Sequence, residues 1–299
     1  MTALLDSAAL DQADNTGTTL ARLLRAEFMK LRTTSTGWLF LTGFIVFTAL
    51  ALTINGFGTH YQLYPQQALG DRAQALAQAA QARTPAGVAA IAASMMTSGQ
   101  RAGVLFALLL GVVIVTSEFA NQTAAVTFVT VPRRATVIRA KLAAAACCGA
   151  LFWLVGTVIA AAVTPLFLYS QHVSMSLAGW TVARSVLLNL LAFVAWGVFG
   201  LGLGAVLRNQ MASVIAAIVV YAGSFGAETA FTLLYNLFHQ SWLLEAPVIA
   251  PALASAVMIM SERAFPDAPA GWVGGVIMIG YTVALAAGGI ALTKRRDVI

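Results

Sequence analysis

Charge is scarce in this chain and falls in clumps, so the clumps are where any ionic chemistry must be sought. Glu27-Phe28-Met29-Lys30-Leu31-Arg32 is the first. Ser117-Glu118-Phe119 opens a second, which runs on through Thr123, Phe128, Pro132-Arg133-Arg134 and Arg139 to Lys141. Lys294-Arg295-Arg296 closes the last. None of these spells a catalytic motif. Lys30, Lys141 and Lys294 are the only lysines and none follows a glycine, so there is no P-loop to hold a nucleotide. There is no H-E-x-x-H, no G-x-S-x-G and no carboxylate cluster spaced for a metal. Cys147 and Cys148 are adjacent within an apolar run, which argues against a disulfide between them and leaves them as small packing residues. The sequence therefore predicts no catalysis and no metal or cofactor in this chain.

What positions those clumps follows from composition. Of 299 residues, 60% are hydrophobic and 9% charged, against roughly 25% charged in an ordinary soluble domain. Such a chain cannot cover a water-facing globule, and its surplus apolar surface calls for lipid. Six apolar runs are long enough to cross a bilayer as helices, at about 38–57, 99–117, 142–168, 182–207, 211–234 and 271–293. The predicted fold is all-α and polytopic. Residues 84–99 are apolar enough to carry the second helix outward. Val248–Met260, too short to span and bracketed by Pro247, Pro251 and Pro266, reads as an external re-entrant hairpin.

Residues 1–18 hold Asp6, Asp11 and Asp14 but no cation, unlike a secretory leader, and read as a disordered cytoplasmic tail. Residues 19–34 place Leu20, Leu23, Leu24, Phe28 and Leu31 at helical spacing among Arg22, Arg25, Lys30 and Arg32, the pattern of an amphipathic helix in the membrane interface. Residues 35–299 then form one transmembrane domain. The net charge of +6 could suggest nucleic acid, but the cations sit in short clusters between apolar runs. Twelve of the seventeen fall on one side of this map, which puts both termini in the cytoplasm. Arg72, Arg83, Arg101, Arg184 and Arg263 fall outside or near the outside.

Within the spans, Glu228 is the exception to an almost complete lack of carboxylates. Counting along the helices puts it near the outer leaflet boundary, at the depth of Arg184. Two readings stand: a structural Arg184–Glu228 pair, or a polar group facing a transport path or a neighbouring subunit.

The charged clumps also carry a family resemblance. Glu27-Phe28-Met29-Lys30-Leu31-Arg32 before the first span, Ser117-Glu118-Phe119 through Thr123 after the second, then Pro132-Arg133-Arg134 and Lys141 leading into the third, resemble the type-2 ATP-binding-cassette (ABC-2) exporter permeases of the drug and antibiotic kind. Gln122 stands where that pattern carries glycine. The resemblance implies an elbow helix bearing Glu27, Lys30 and Arg32. It also implies a coupling segment bearing Glu118, Phe119, Thr123, Phe128, Pro132, Arg133 and Arg134, with both docking on a separate ATPase subunit. It implies a bacterial cell-membrane location, ATP and Mg on that ATPase, and a second permease copy or a related permease as partner. The expected cargo is a hydrophobic or amphipathic drug, antibiotic, peptide or lipid. The arginines of the segment also serve topology and anionic lipid, but that does not account for Glu118, Phe119 and Phe128. A secondary transporter or channel would call for internal repeats and ionisable groups at the membrane midplane, and no clear repeat between the halves is visible. A non-transporting scaffold subunit is the third class.

Overall fold

The computed structural model describes residues 21–65, 72–121, 134–173, 179–260 and 268–295. The expected tail, 1–18, lies outside them. Among the described residues all regular structure is helical. Helix α1 covers 21–33. It is followed by α2 (Ser35–Leu63), α3 (Arg72–Ala82), α4 (Pro85–Met96), α5 (Gln100–Ala120) and α6 (Arg134–Ser170). Then come α7 (Trp180–Leu207), α8 (Gln210–Phe238), the short α9 (Trp242–Glu245) with a 3-10 turn (Ala246–Ile249), α10 (Pro251–Ile259) and α11 (Gly271–Arg295). Six segments are long and apolar enough to cross a membrane: α2, α4 with α5, α6, α7, α8 and α11. The chain is a multi-pass, all-α membrane protein, as its composition predicts.

Helix α7 is the hub, packed against α5, α6 and α11. With lipid on all sides, helices gain little from hiding apolar surface and associate where small residues let backbones approach. Gly200 supplies that approach: a Cβ there would collide with the carbonyl of Leu108 on α5. Around this contact Phe44 of α2 interlocks with Phe152 of α6 and Phe193 of α7, with ring centroids 5.1 and 5.9 Å apart. The opposite face of α2 carries Leu39, Val46, Leu50, Ile54 and Phe57, each more than half exposed. In water that row would be an aggregation liability; against acyl chains it is at home.

The second crossing is longer than 99–117, because the apolar residues before Gly99 extend it as the sequence allows. It uses 36 residues, Pro85–Ala120, broken between α4 and α5. The break at Gly99 lies against Thr48, near the middle of α2. Helix α4 therefore continues the second crossing beyond Gly99, alongside the second half of α2. Asn55 Nδ2 donates to Ser94 Oγ and Ser98 Oγ at 3.1 and 2.6 Å. Thr84 starts α4 by accepting from Gly87 N at 3.2 Å, with Pro85 in the first turn.

The proline-bracketed hairpin is inserted into the bundle. Trp242–Ile249 and Pro251–Ile259 meet at 101°. Backbone that leaves the helical ladder at this depth needs partners from the protein, and α5, α7, α8 and α11 provide them. Ser255 Oγ accepts from Trp196 Nε1 (3.2 Å) and Gln100 Nε2 (3.4 Å) and donates to the Ala252 carbonyl (2.9 Å). Ala252 N donates to Ser224 Oγ at 3.2 Å, and Tyr281 Oη donates to the Ile249 carbonyl at 3.1 Å.

Candidate functional site

The charged clumps converge at one end of the bundle. On α1, Glu27 and Lys30 are three residues apart and so share a face. Gly37 lets the chain fold back sharply after α1, since a Cβ there would strike the Leu31 carbonyl. The fold-back is fastened by Thr34 N donating to the Lys30 carbonyl at 3.1 Å and Trp38 Nε1 to the Arg32 carbonyl at 3.2 Å. This turns Glu27 and Lys30 towards Glu118 in the last turn of α5 and Lys141 in the second turn of α6.

The four side chains close into a ring of alternating charge. Lys141 Nζ lies 2.8 Å from both Glu27 Oε1 and Glu118 Oε1. Lys30 Nζ lies 2.7 Å from Glu118 Oε1 and 3.2 Å from Glu27 Oε1. The side chains of Lys141, Glu118 and Glu27 are buried, at 3%, 7% and 9% exposure, whereas that of Lys30 is half exposed. Lys141 spends its third N–H on the Ile114 carbonyl at 3.3 Å, so all three donors of its ammonium are used. The ring is neutral overall, which is what makes its burial tolerable. Burial by itself would lower the pKa of Lys30. The hydrogen bond to Glu118 and the charges of Glu27 and Glu118 outweigh that and hold it above the ordinary lysine value of 10.5.

A second clamp sits alongside. Arg208, left-handed at φ 55° in the turn between α7 and α8, donates from Nη2 to the Leu292 carbonyl of α11 at 3.3 Å. Its guanidinium lies 5.7 Å from the ring centroid of Phe119. Phe119 itself packs on the main core. The ends of α5, α7, α8 and α11 are thereby joined beside the charged ring.

The residues singled out from sequence divide accordingly. Glu27 and Glu118 are buried with partners inside this chain, and Arg32 is exposed on α1. Thr123, Phe128, Pro132 and Arg133 lie outside the described residues; Arg134 opens α6, and its side chain lies outside them too. Lys141, counted from sequence among the topology-setting cations, is the counter-ion that closes the ring. Its position one residue before an apolar run, with two carboxylates at other span ends, was the available signal.

Arg184 and Glu228 are not brought together, so of the two readings of Glu228 the Arg184 pair is the one the structure does not bear out. Arg184 lies beside Gly271 at the start of α11, while Glu228 borders a small cavity with Gln100, Arg101, Tyr221 and Phe225. Equal depth did not mean a shared face. Among the described residues, no group of three or more His, Cys, Asp or Glu side chains could hold a metal ion.

A family model described as ABC-2 family transporter protein matches residues 23–224, which include all four members of the charged ring. Comparison with curated proteins finds no match.

Proposed function

Because this chain belongs to the ABC-2 family of transporter proteins, and is thus a membrane-embedded permease subunit that works with a separate ABC ATPase, we propose that it exports a hydrophobic or amphipathic substrate from the bacterial cytoplasm. On this reading α1 is the elbow helix and residues 118–141 are the coupling segment. Arg32 and the half-exposed Lys30 face the ATPase from α1, and Thr123, Phe128, Pro132, Arg133 and Arg134 meet it from the coupling segment. The termini are cytoplasmic, as the cation distribution favours. Two permease subunits, identical or related, face each other over two ATPase subunits.

The observation that carries the reading is the ring of Glu27, Lys30, Glu118 and Lys141. It makes one strut of the elbow helix and both ends of the coupling segment. ATP binding and hydrolysis in the partner change the contacts it offers to these elements, and only such a difference in contact can shift the permease between states. A loose elbow or a loose segment would absorb that difference; a strut passes it to α2, α5 and α6.

The test is purification in mild detergent together with the products of neighbouring genes. An ATPase subunit should accompany the chain, and reversing Arg133 and Arg134 to glutamate should weaken its retention and lower ATP-driven transport. If no ATPase ever accompanies the chain, or transport continues without ATP, the reading fails. The latter result would favour a secondary transporter, for which the broken second crossing and the nearby Arg101 are the relevant features.

A further inference from the structure

Arg101, in the first turn of α5, is an ionisable residue that neither the ring nor the clamp explains. It lies two residues past the break at Gly99, which abuts Thr48 near the centre of α2. From the other side, Tyr221 Oη donates to its carbonyl, and Tyr221 sits in the middle of α8. Counted along α5 at ~1.5 Å per residue, Arg101 lies about 25 Å from Glu118, in the first turn of the helix. Its side chain is exposed, and no carboxylate among the described residues lies within ion-pair distance. Glu228 borders the same small cavity, of about 20 Å³, without pairing with it. A guanidinium that faces apolar side chains without an acidic partner among the described residues is costly unless something of opposite sign comes to it.

The space beside it indicates what that is. Between α2 and α5 lies an open cleft of about 470 Å³, within the size range of small-molecule sites. Phe47, Leu50 and Ile54 of α2 line one wall, and Met260 at the end of α10 closes the other. The three α2 side chains are about half exposed or more, so the cleft is reached laterally from the acyl region. Among the described residues that line it Arg101 is the only charge, and Asn55 and Ser98, hydrogen-bonded to each other, add polarity at one end.

We infer that this cleft binds an amphiphile drawn from the bilayer, one carrying a single anionic group that pairs with Arg101 and an apolar body that lies along Phe47, Leu50 and Ile54. A neutral amphiphile of the same length leaves the guanidinium unpaired, and a cationic one is repelled. The inference narrows the cargo class of the proposed export function and rests on that reading, but binding itself requires neither ATP nor the ATPase.

The experiment uses the full chain in mild detergent at pH 8, with radiolabelled palmitate as probe and unlabelled hexadecanol, palmitate or acetate as competitor. Palmitate should compete about tenfold better than hexadecanol, the difference one charge-assisted contact makes. Arg101→Gln should erase that preference and Arg101→Lys should retain most of it. Ile54→Trp, which fills the cleft and leaves Arg101 in place, should weaken both long-chain ligands. Equal competition by palmitate and hexadecanol overturns the proposal, as does a preference that survives Arg101→Gln. Undiminished binding to Ile54→Trp would place the site elsewhere, and acetate competing as well as palmitate would make it a site for free carboxylate rather than for an amphiphile. A chain that binds palmitate as described but never retains an ATPase would keep this site and sink the exporter reading; the reverse result would do the opposite.

Discussion

Lys141 and Glu27 are 114 positions apart in the chain and meet at 2.8 Å. Between them run two spans and the whole segment from Glu118 onward, so this contact is what returns α1 to the head of α6. Replacing Lys141 with methionine keeps the length of the side chain and removes its charge. Glu27 and Glu118 are then left buried with only the half-exposed Lys30 between them. The expected loss is about 3–5 kcal/mol, the range for removing one partner of a buried pair. Thermal unfolding in detergent should report it, together with faster hydrogen exchange in residues 21–33. Unchanged exchange there would mean that α1 is held by packing alone.

A ring differs from a set of pairs in how it answers charge swaps. Exchanging Glu118 and Lys141 preserves that pair but sets lysine 2.7 Å-neighbour to Lys30 and glutamate against Glu27, given the present contacts. The E118K/K141E double variant should therefore be no more stable than either single variant. The fourfold exchange E27K/K30E/E118K/K141E restores alternation and should recover a substantial part of the loss. If the double swap alone rescues stability, Glu118–Lys141 is an isolated pair and the ring has no collective role.

Some of this was legible before any coordinates. The spacing of Glu27 and Lys30 put them on one face, and the flanking of apolar runs by Glu118 and Lys141 put these at span ends. Val248–Met260 was recognisable as too short to cross a bilayer alone, but the bent pair it belongs to begins earlier, at Trp242. Depth is readable from residue counts, at ~1.5 Å each. Rotation about the helix axis is not, when a span is apolar on every side. That is why Arg184 and Glu228 were placed at one level and yet face different cavities.

The raised pKa of Lys30 has a definite pH signature. A lysine whose folded pKa exceeds its unfolded one contributes its stabilisation fully below the unfolded value and loses it as pH climbs through the folded value. Docking of α1 should thus be indifferent to pH from neutrality up to the ordinary lysine value of 10.5 and loosen only above it. Limited proteolysis within residues 21–33 across that range is a direct measurement. Release at mildly alkaline pH would show that Lys30 gains nothing from Glu118 and Glu27.

One buried hydroxyl, that of Ser255, ties the hairpin to two other spans at once. It is fully buried, and two donors from different spans, Trp196 Nε1 and Gln100 Nε2, end on its Oγ. Ser255→Ala removes the acceptor and leaves both N–H groups buried, at a cost of about 1–3 kcal/mol for an unmet donor. The larger consequence is local: α10 loses its tie to α5 and α7 while Ala252 still holds Ser224. Hydrogen exchange in Pro251–Ile259 should rise, with α2 and α6 unaffected. A double-mutant cycle with Trp196→Phe separates the bond from the packing, because once the indole N–H is gone the serine has less to accept. The cost of Ser255→Ala should fall in that background. Equal cost in both would mean that the hydroxyl serves Gln100 and the Ala252 carbonyl alone, and that Trp196 is there only for its bulk.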